Sequence, residues 1–164
     1  MGNDRLKPRI NLRRASLSDC RRLWRWRNEE EVRKFSFNKE RIPYGVHKQW
    51  FADKLDSPRT QILVGEKESG EPIGQVRFDL SKNGVAKAHI LIKKSERNKG
   101  FGQSLLRGAC NYGFSRLKLK RVWAYAQLKN GRSVRLFKKV GFQKRKKVTV
   151  NHQPTVLMEL KNER

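Results

Sequence analysis

Arg97-Asn98-Lys99-Gly100-Phe101-Gly102 follows an apolar, strand-like run from Ala88 to Ile92 and opens a helix-like run from Gln103 to Leu117. A basic, glycine-spaced turn at a helix N-terminus aims several free backbone N–H groups at one point, where the positive end of the helix dipole also acts. Gly100 and Gly102 let the backbone close on a guest with no Cβ in the way. Such a turn suits an anion with oxygens in several directions, phosphate or pyrophosphate above all. The residues after Gly102 exclude two common phosphate loops. A nucleoside-triphosphate loop needs Lys and then Ser or Thr after its last glycine, and here Gln103 stands next to Gly102. The dinucleotide fingerprint needs a third glycine, and the chain continues with Ser104 and Leu105 instead.

A second block runs from Asn130 to Phe142: Asn-Gly-Arg-Ser-Val-Arg-Leu-Phe-Lys-Lys-Val-Gly-Phe. Asn130 suits an N-cap. Val134, Phe137 and Val140 recur at helical spacing. Gly141 suits a left-handed C-cap, after which Phe142 folds back on the last turn. Any amphipathic helix could show these features; the order and separation of the two blocks carry more. Together they resemble the R/Q-x-x-G-x-G/A pyrophosphate loop and the later N-x-x-A/S-x-x-x-Y-x-K-x-G-F motif of the GCN5-related N-acetyltransferase (GNAT) superfamily.

The remaining elements are read from periodicity and turn residues. Ile10 to Ala15 is a first strand, and Ser18-Asp19 caps a helix from Cys20 to about Trp26. Arg27 to Tyr44 is irregular or short-helical, and a helix spans about Gly45 to Leu55, stopped by Ser57-Pro58. Gln61 to Glu66, Pro72 to Leu80 and Val85 to Ile92 are strands joined by Gly70- and Gly84-containing turns. Arg121 to Ala126 follows the loop helix, and Phe142 to Val150 and Thr155 to Leu160 close the chain. The strand-helix-strand unit implies parallel pairing and the tight turns imply antiparallel hairpins, so a mixed α/β (α+β) sheet flanked by helices is predicted. The resemblance implies the GNAT fold: a mostly antiparallel sheet in which one parallel pair splays apart.

Acetyl-coenzyme A is the cofactor the resemblance implies. The backbone of Ile90, Leu91 and Ile92 would pair with its pantetheine arm. Arg97, Asn98, Lys99, Gly100, Phe101, Gly102 and Gln103 would hold its pyrophosphate. Asn130, Ser133 and Phe137 of the later motif would complete the cofactor side.

The length of 164 residues bounds the chain to a single domain, 1–164, with its core at about 10–162. No apolar run reaches membrane-spanning length, and the Met1-Gly2 start has neither a secretory pattern nor a myristoylation signal. Only two cysteines, Cys20 and Cys110, point to free thiols and a cytoplasmic protein, with Cys110 on the apolar face of the loop helix. The net charge of +25 exceeds what one acetyl-coenzyme A needs. It fits a second anionic substrate, gives incidental nucleic-acid affinity, and opposes a polycationic acceptor. Lys144, Arg145, Lys146 and Lys147 mark a strand that serves as a charged edge. A monomer or homodimer is expected.

Between the first strand and the middle sheet the chain reads Trp26-Arg27-Asn28, Val32-Arg33, Ser36-Phe37-Asn38, Ile42-Pro43 and His47-Lys48-Gln49-Trp50-Phe51. This is similar to the W-R-N…V-R…N…I…H-x-x-W-F pattern of a GNAT branch that acetylates nucleotide-linked aminosugars in pseudaminic-acid and related pathways. The resemblance implies that Arg27, Asn28 and His47 contact the acceptor and that Trp50 and Phe51 wall its pocket. A guanidinium offers a planar fork to phosphate, and aromatic faces stack on a base or sugar. The same residues have plain structural roles open to them. Trp24 and Trp26, two apart, cannot both face inward.

Acetyl transfer needs a neutral amine, a polarised carbonyl and a proton for the departing thiolate. A backbone N–H near Leu91 or Ile92 can polarise the carbonyl. Many superfamily members carry a Glu base on the fourth strand; this chain has Lys87-Ala88-His89 there, and His89 is the base candidate. Glu29, Glu30 and Glu31 are alternatives, though three acids in a row suit a solvated helix face. The superfamily's acidic Tyr is replaced by Phe137, leaving Ser133 or Tyr125 as proton donor, or water. Scattered His and Cys imply no metal. An N-acetyltransferase acting on a nucleotide-linked aminosugar is the leading reading. Its rivals are a ribosomal-protein-type N-terminal acetyltransferase, favoured by Ser133, and a non-catalytic coenzyme A-binding module.

Overall fold

Seven strands lie among the described residues: β1 (Asn11–Arg14), β2 (Thr60–Glu66), β3 (Pro72–Leu80), β4 (Val85–Ile92), β5 (Arg121–Gln127), β6 (Gln143–Val150) and β7 (Gln153–Lys161). Five helices join them: α1 (Cys20–Arg27), α2 (Glu30–Lys34), α3 (Tyr44–Asp56), α4 (Phe101–Ser115) and α5 (Gly131–Val140). The computed structural model describes residues 7–163, so the Met1-Gly2 start lies outside the described residues. No helix among them is long and apolar enough to cross a membrane.

The strands form one sheet in the order β1-β2-β3-β4-β5-β7-β6. Every neighbouring pair is antiparallel except β4 and β5. That parallel pair meets only at Val85↔Arg121, Ala86↔Val122 and Lys87↔Trp123. Beyond Lys87 the two strands part, yet β4 stays paired to β3 as far as Ile92 and β5 to β7 as far as Gln127. The sheet therefore carries a wedge that opens toward the C-terminal ends of β4 and β5. This is the mixed sheet predicted from the turns and the strand-helix-strand unit, with the splayed parallel pair that the resemblance implies.

Alternation distributes side chains between two cores. Val122, Ala124 and Ala126 of β5 pack with Leu105, Leu106, Ala109 and Cys110 of α4 and with Val134 and Phe137 of α5. Each large aliphatic side chain buried there contributes about 1.5–3 kcal/mol. Burial also pushes the Cys110 thiol up to about 12, so it packs as a small hydrophobe. On the opposite face Cys20, Leu23 and Trp26 of α1 and Phe51 of α3 close over Ile62 and Leu91. Trp26 is buried while Trp24 stays partly exposed and donates its indole N–H to the Ile42 carbonyl at 2.7 Å.

The caps of α5 match the sequence reading. The Asn130 side chain accepts the Ser133 N–H, Gly141 lies at φ +111°, and the Phe142 N–H returns to the Phe137 carbonyl. α4 differs at both ends from the predicted span. It starts at Phe101, because Gly100 at φ +86° turns the chain straight into the helix. It stops at Ser115, because Lys118 takes a left-handed φ of +56° and Leu119 N–H closes onto the Gly113 carbonyl. A lysine does there what glycine usually does. β7 likewise begins at Gln153, two residues early, because Asn151 and His152 both take positive φ in a tight hairpin turn.

Candidate active site

The wedge and the loop beside it form the first half of the site. Among the described residues, the amides of Asn98, Lys99 and Gly100 donate to no backbone or side-chain acceptor. Phe101, Gly102 and Gln103 follow as the first turn of α4, whose N–H groups have no partner within the helix. Ile90, Leu91 and Ile92 line the β4 edge that β5 has left. This geometry fits an extended chain ending in a diphosphate: an open strand edge, then a cluster of free amides. Gly100 is the tightest point. A Cβ there would sit 3.1 Å from Pro8 Cδ, on a backbone held at φ +86°. We expect Gly100→Ala to weaken coenzyme A binding by about 10-fold or more, from roughly 1–2 kcal/mol of backbone strain. Calorimetry on the folded variant checks it, and an unchanged Kd would free the loop of that role.

Arg97 sits in the loop as predicted, but its side chain is already engaged. Its Nε donates to the Ile92 carbonyl at 3.1 Å, and its terminal nitrogens reach Glu29 at 2.8 Å and Glu31 at 3.2 Å. With only 12% of that side chain exposed, the guanidinium ties the loop to the chain around α2 and is not free to clamp phosphate. The Glu29–Glu31 run is thereby corrected too: two of its three acids are structural partners of Arg97 and no purely solvated face. Lys99 stays more exposed and lies 3.5 Å from Glu96. Phe137 is also corrected. Its ring is buried edge-on against Phe142 at 5.1 Å, which makes it core and no cofactor contact.

The second half lies on the face that α1 and α3 cover. Lys87, His89 and Leu91 alternate toward it, and Leu91 packs against the α1–α3 core. Register puts Arg77 directly opposite His89, with Asp79 on the diagonal. His89 Nε2 lies 2.9 Å from Asp79 Oδ2, and Arg77 grips both oxygens of Asp79 at 3.1 and 3.2 Å. Burial pushes the His89 imidazole below its usual range, against the opposing hydrogen bond from Asp79. Burial acts to raise Asp79, but its bond to His89 and the Arg77 charge outweigh it and hold the carboxyl far below the ordinary value. The dyad is a neutral imidazole on an ionised carboxylate.

Tyr125 alternates with the buried Ala124 and Ala126 and carries the Lys87 ammonium over its ring at 4.8 Å. Ser133 lies in the first turn of α5, a few residues past the end of β5 and so at the wide end of the wedge. Its N–H bonds Asn130.

Of the acceptor-side residues, Trp50 is 37% exposed, with the Arg77 guanidinium 5.1 Å from its ring. Arg27 gives one nitrogen to the Asn38 carbonyl at 3.2 Å and leaves Nη1 buried without a partner among the described residues. Burial, then the like charges of Arg77 and Arg33, push this guanidinium below its usual range. His47 is buried with Nε2 unpaired, stacked on Phe51 at 5.8 Å, and burial lowers it as well. Phe51 and Asn28 are corrections. Phe51 is fully inside the α1–α3 core, and the Asn28 amide is spent on both backbone groups of Ile42. Sequence reasoning missed Arg77 and Asp79. The Lys82-Asn83-Gly84 turn fixes the β3–β4 register, so their place beside His89 was countable from it.

With this geometry in place, comparison with known proteins is direct. The family described as "Acetyltransferase (GNAT) domain" matches residues 9–143. An uncharacterized N-acetyltransferase, p20, of Bacillus licheniformis is 25% identical over 142 residues, covering 83% of this chain and 80% of that protein. A spermidine N(1)-acetyltransferase of Vibrio cholerae is 21% identical over 140 residues, covering 84% and 80%. The crystal structure of the V. cholerae spermidine N-acetyltransferase with CoA and spermine superposes with a TM-score of 0.86 at 19% identity, covering 93% of this chain and 95% of that one. That of AAC(6')-Ib with ribostamycin and coenzyme A gives 0.81 at 21% identity, covering 94% of each.

Proposed function

This chain belongs to the acetyltransferase (GNAT) domain family and is an N-acetyltransferase that uses acetyl-CoA, and we propose that its acceptor is the amine of an anionic, nucleotide-linked aminosugar. The observation that carries the acceptor is Arg27 Nη1, a buried guanidinium nitrogen with no partner among the described residues. A buried cation of this kind is costly unless an anion meets it. Arg77 and Arg33 add positive charge around it. Three of the carboxylates near this part of the fold are committed already, Asp79 to Arg77 and His89, and Glu29 and Glu31 to Arg97. A polycation such as spermidine would need free carboxylates there. A phosphate-bearing acceptor would instead complete the Arg27 fork, with Trp50 as a flat wall for base or sugar.

Acetyl-CoA, when bound, supplies a thioester carbonyl as the electrophile. His89, neutral and set among burial and charge, takes the proton that the acceptor amine must lose. The N–H groups on the open β4 edge near Leu91 and Ile92 polarise the carbonyl oxygen. Ser133 or Tyr125 returns a proton at the leaving sulfur.

The test is a thiol-release assay with a panel of nucleotide aminosugars, spermidine, an aminoglycoside and N-terminal peptides. The highest kcat/KM is expected for a nucleotide aminosugar. Preference for peptides would move the assignment to protein N-termini, which the Ser133 match also suits. Preference for spermidine would remove the role of Arg27, and coenzyme A binding without turnover on any amine would leave a binding module.

A further inference from the structure

We propose that Asp79 is a positioning residue for the transfer reaction: its carboxylate holds the Nε2–H of His89 and so leaves Nδ1 as the nitrogen that receives the proton of the acceptor amine. The proposal rests on His89 being the base, and it adds the residue that fixes which face of the imidazole works.

Two neutral tautomers are open to a histidine, and the hydrogen bond made by one nitrogen selects between them. An ionised carboxylate only accepts. With Asp79 Oδ2 2.9 Å from Nε2, the proton resides on Nε2 and the lone pair on Nδ1. Nδ1 makes no hydrogen bond among the described residues, and 35% of the His89 side chain is exposed. Arg77 supplies what a bare carboxylate would lack. Its two-point grip fixes the rotation of Asp79 and offsets its charge. A lone carboxylate would draw a second proton onto the imidazole and so block the base.

The charged groups around His89 are Arg77 and Asp79 on β3 and Lys87 on its own strand. Beyond Arg77 lies Arg27 of α1, whose charge reaches His47 of α3, and Tyr125 of β5 carries Lys87 on its ring. In the step itself the amine's proton passes to Nδ1, and its electron pair forms the new C–N bond. The pair of the breaking C–S bond stays on sulfur. The imidazolium keeps its Nε2–H on Asp79 throughout.

The experiment compares Asp79→Asn, Asp79→Glu and His89→Gln in the full chain. Asp79→Asn puts an amide that can donate as well as accept where the carboxylate could only accept, so the tautomer is no longer fixed and kcat falls by about 10²-fold while coenzyme A affinity stays within about 2-fold. The acid limb of its residual kcat/KM profile moves to lower pH, because a group that favoured the imidazolium has gone. Asp79→Glu restores part of the rate. A wild-type rate and profile in Asp79→Asn, with His89→Gln inactive, would overturn the positioning role and leave His89 as base. A wild-type rate in His89→Gln would overturn the base itself. Should Asp79→Asn not fold, imidazole nitrogen chemical shifts of the wild-type protein decide: an Nε2–H tautomer supports the proposal and an Nδ1–H tautomer ends it.

Discussion

Replacing His89 by Gln lowers kcat by about 10²–10⁴-fold, the usual worth of a positioned general base, and leaves coenzyme A affinity and the far-ultraviolet spectrum unchanged. The imidazole is the group in the β3–β4 hairpin whose neutral form can take a proton near neutrality. Its pH behaviour follows from its surroundings. Burial disfavours the imidazolium, so the folded value lies below the ordinary 6.5. The base is then fully available at and above that reference and is lost only as pH falls through the lowered value. In the wild-type enzyme kcat/KM rises on the acid side and reaches a plateau near neutrality. A profile flat on the acid side, in protein still folded, would retire His89. The same sign governs stability. His47 and His89 are both pushed down by burial, so their stabilising neutral forms persist above about 6.5 and are lost as pH falls through their folded values.

Arg27→Met has a double signature. Removing the buried guanidinium takes away a charge-assisted fork worth about 1.5–3 kcal/mol to an anionic acceptor, so KM for a nucleotide aminosugar rises about 10- to 100-fold. The free protein, however, loses a buried cation whose Nη1 has no partner among the described residues and which faces the charges of Arg77 and Arg33. A methionine fills a similar space without that penalty, and the Tm of the ligand-free variant rises by about a few degrees. Calorimetric scans and acceptor kinetics on the same preparation test both halves. A lower Tm, or a loss of turnover shared by every acceptor in the panel, would make Arg27 a structural residue.

What was legible from sequence followed rules of local geometry. Glycine marked the loop at Gly100 and the left-handed cap at Gly141, and the structure holds both at positive φ. The strand limits of β3 and β4 were readable because apolar alternation and the Asn83-Gly84 turn bound them on both sides. What local rules could not reach was set by side chains meeting across elements. Lys118, Asn151 and His152 entered the left-handed region without being glycine, which shifted the end of α4 and the start of β7. Arg97 looked like a phosphate ligand until Glu29 and Glu31, far away in sequence, claimed it. Phe51 and Asn28 fell inside the acceptor pattern, yet tertiary packing spends one on the core and the other on Ile42. The Asp79 contact needed only the hairpin register, which was available, and a reason to look for a carboxylate beside an imidazole.

The strand at one edge of the sheet, β6, has a consequence for how copies of this molecule treat each other. Lys144, Arg145, Lys146 and Lys147 stand exposed along it, and a bulge between Lys144 and Lys146 turns Arg145 back onto Glu159. A second copy laid against that rim would bring one row of cations within a strand spacing of another, about 4.8 Å. Such a meeting is repulsive in dilute buffer and fades only as added salt shortens the Debye length. The rim therefore guards the hydrogen-bonding groups of the last strand against end-to-end polymerisation, and colloidal behaviour becomes a function of ionic strength.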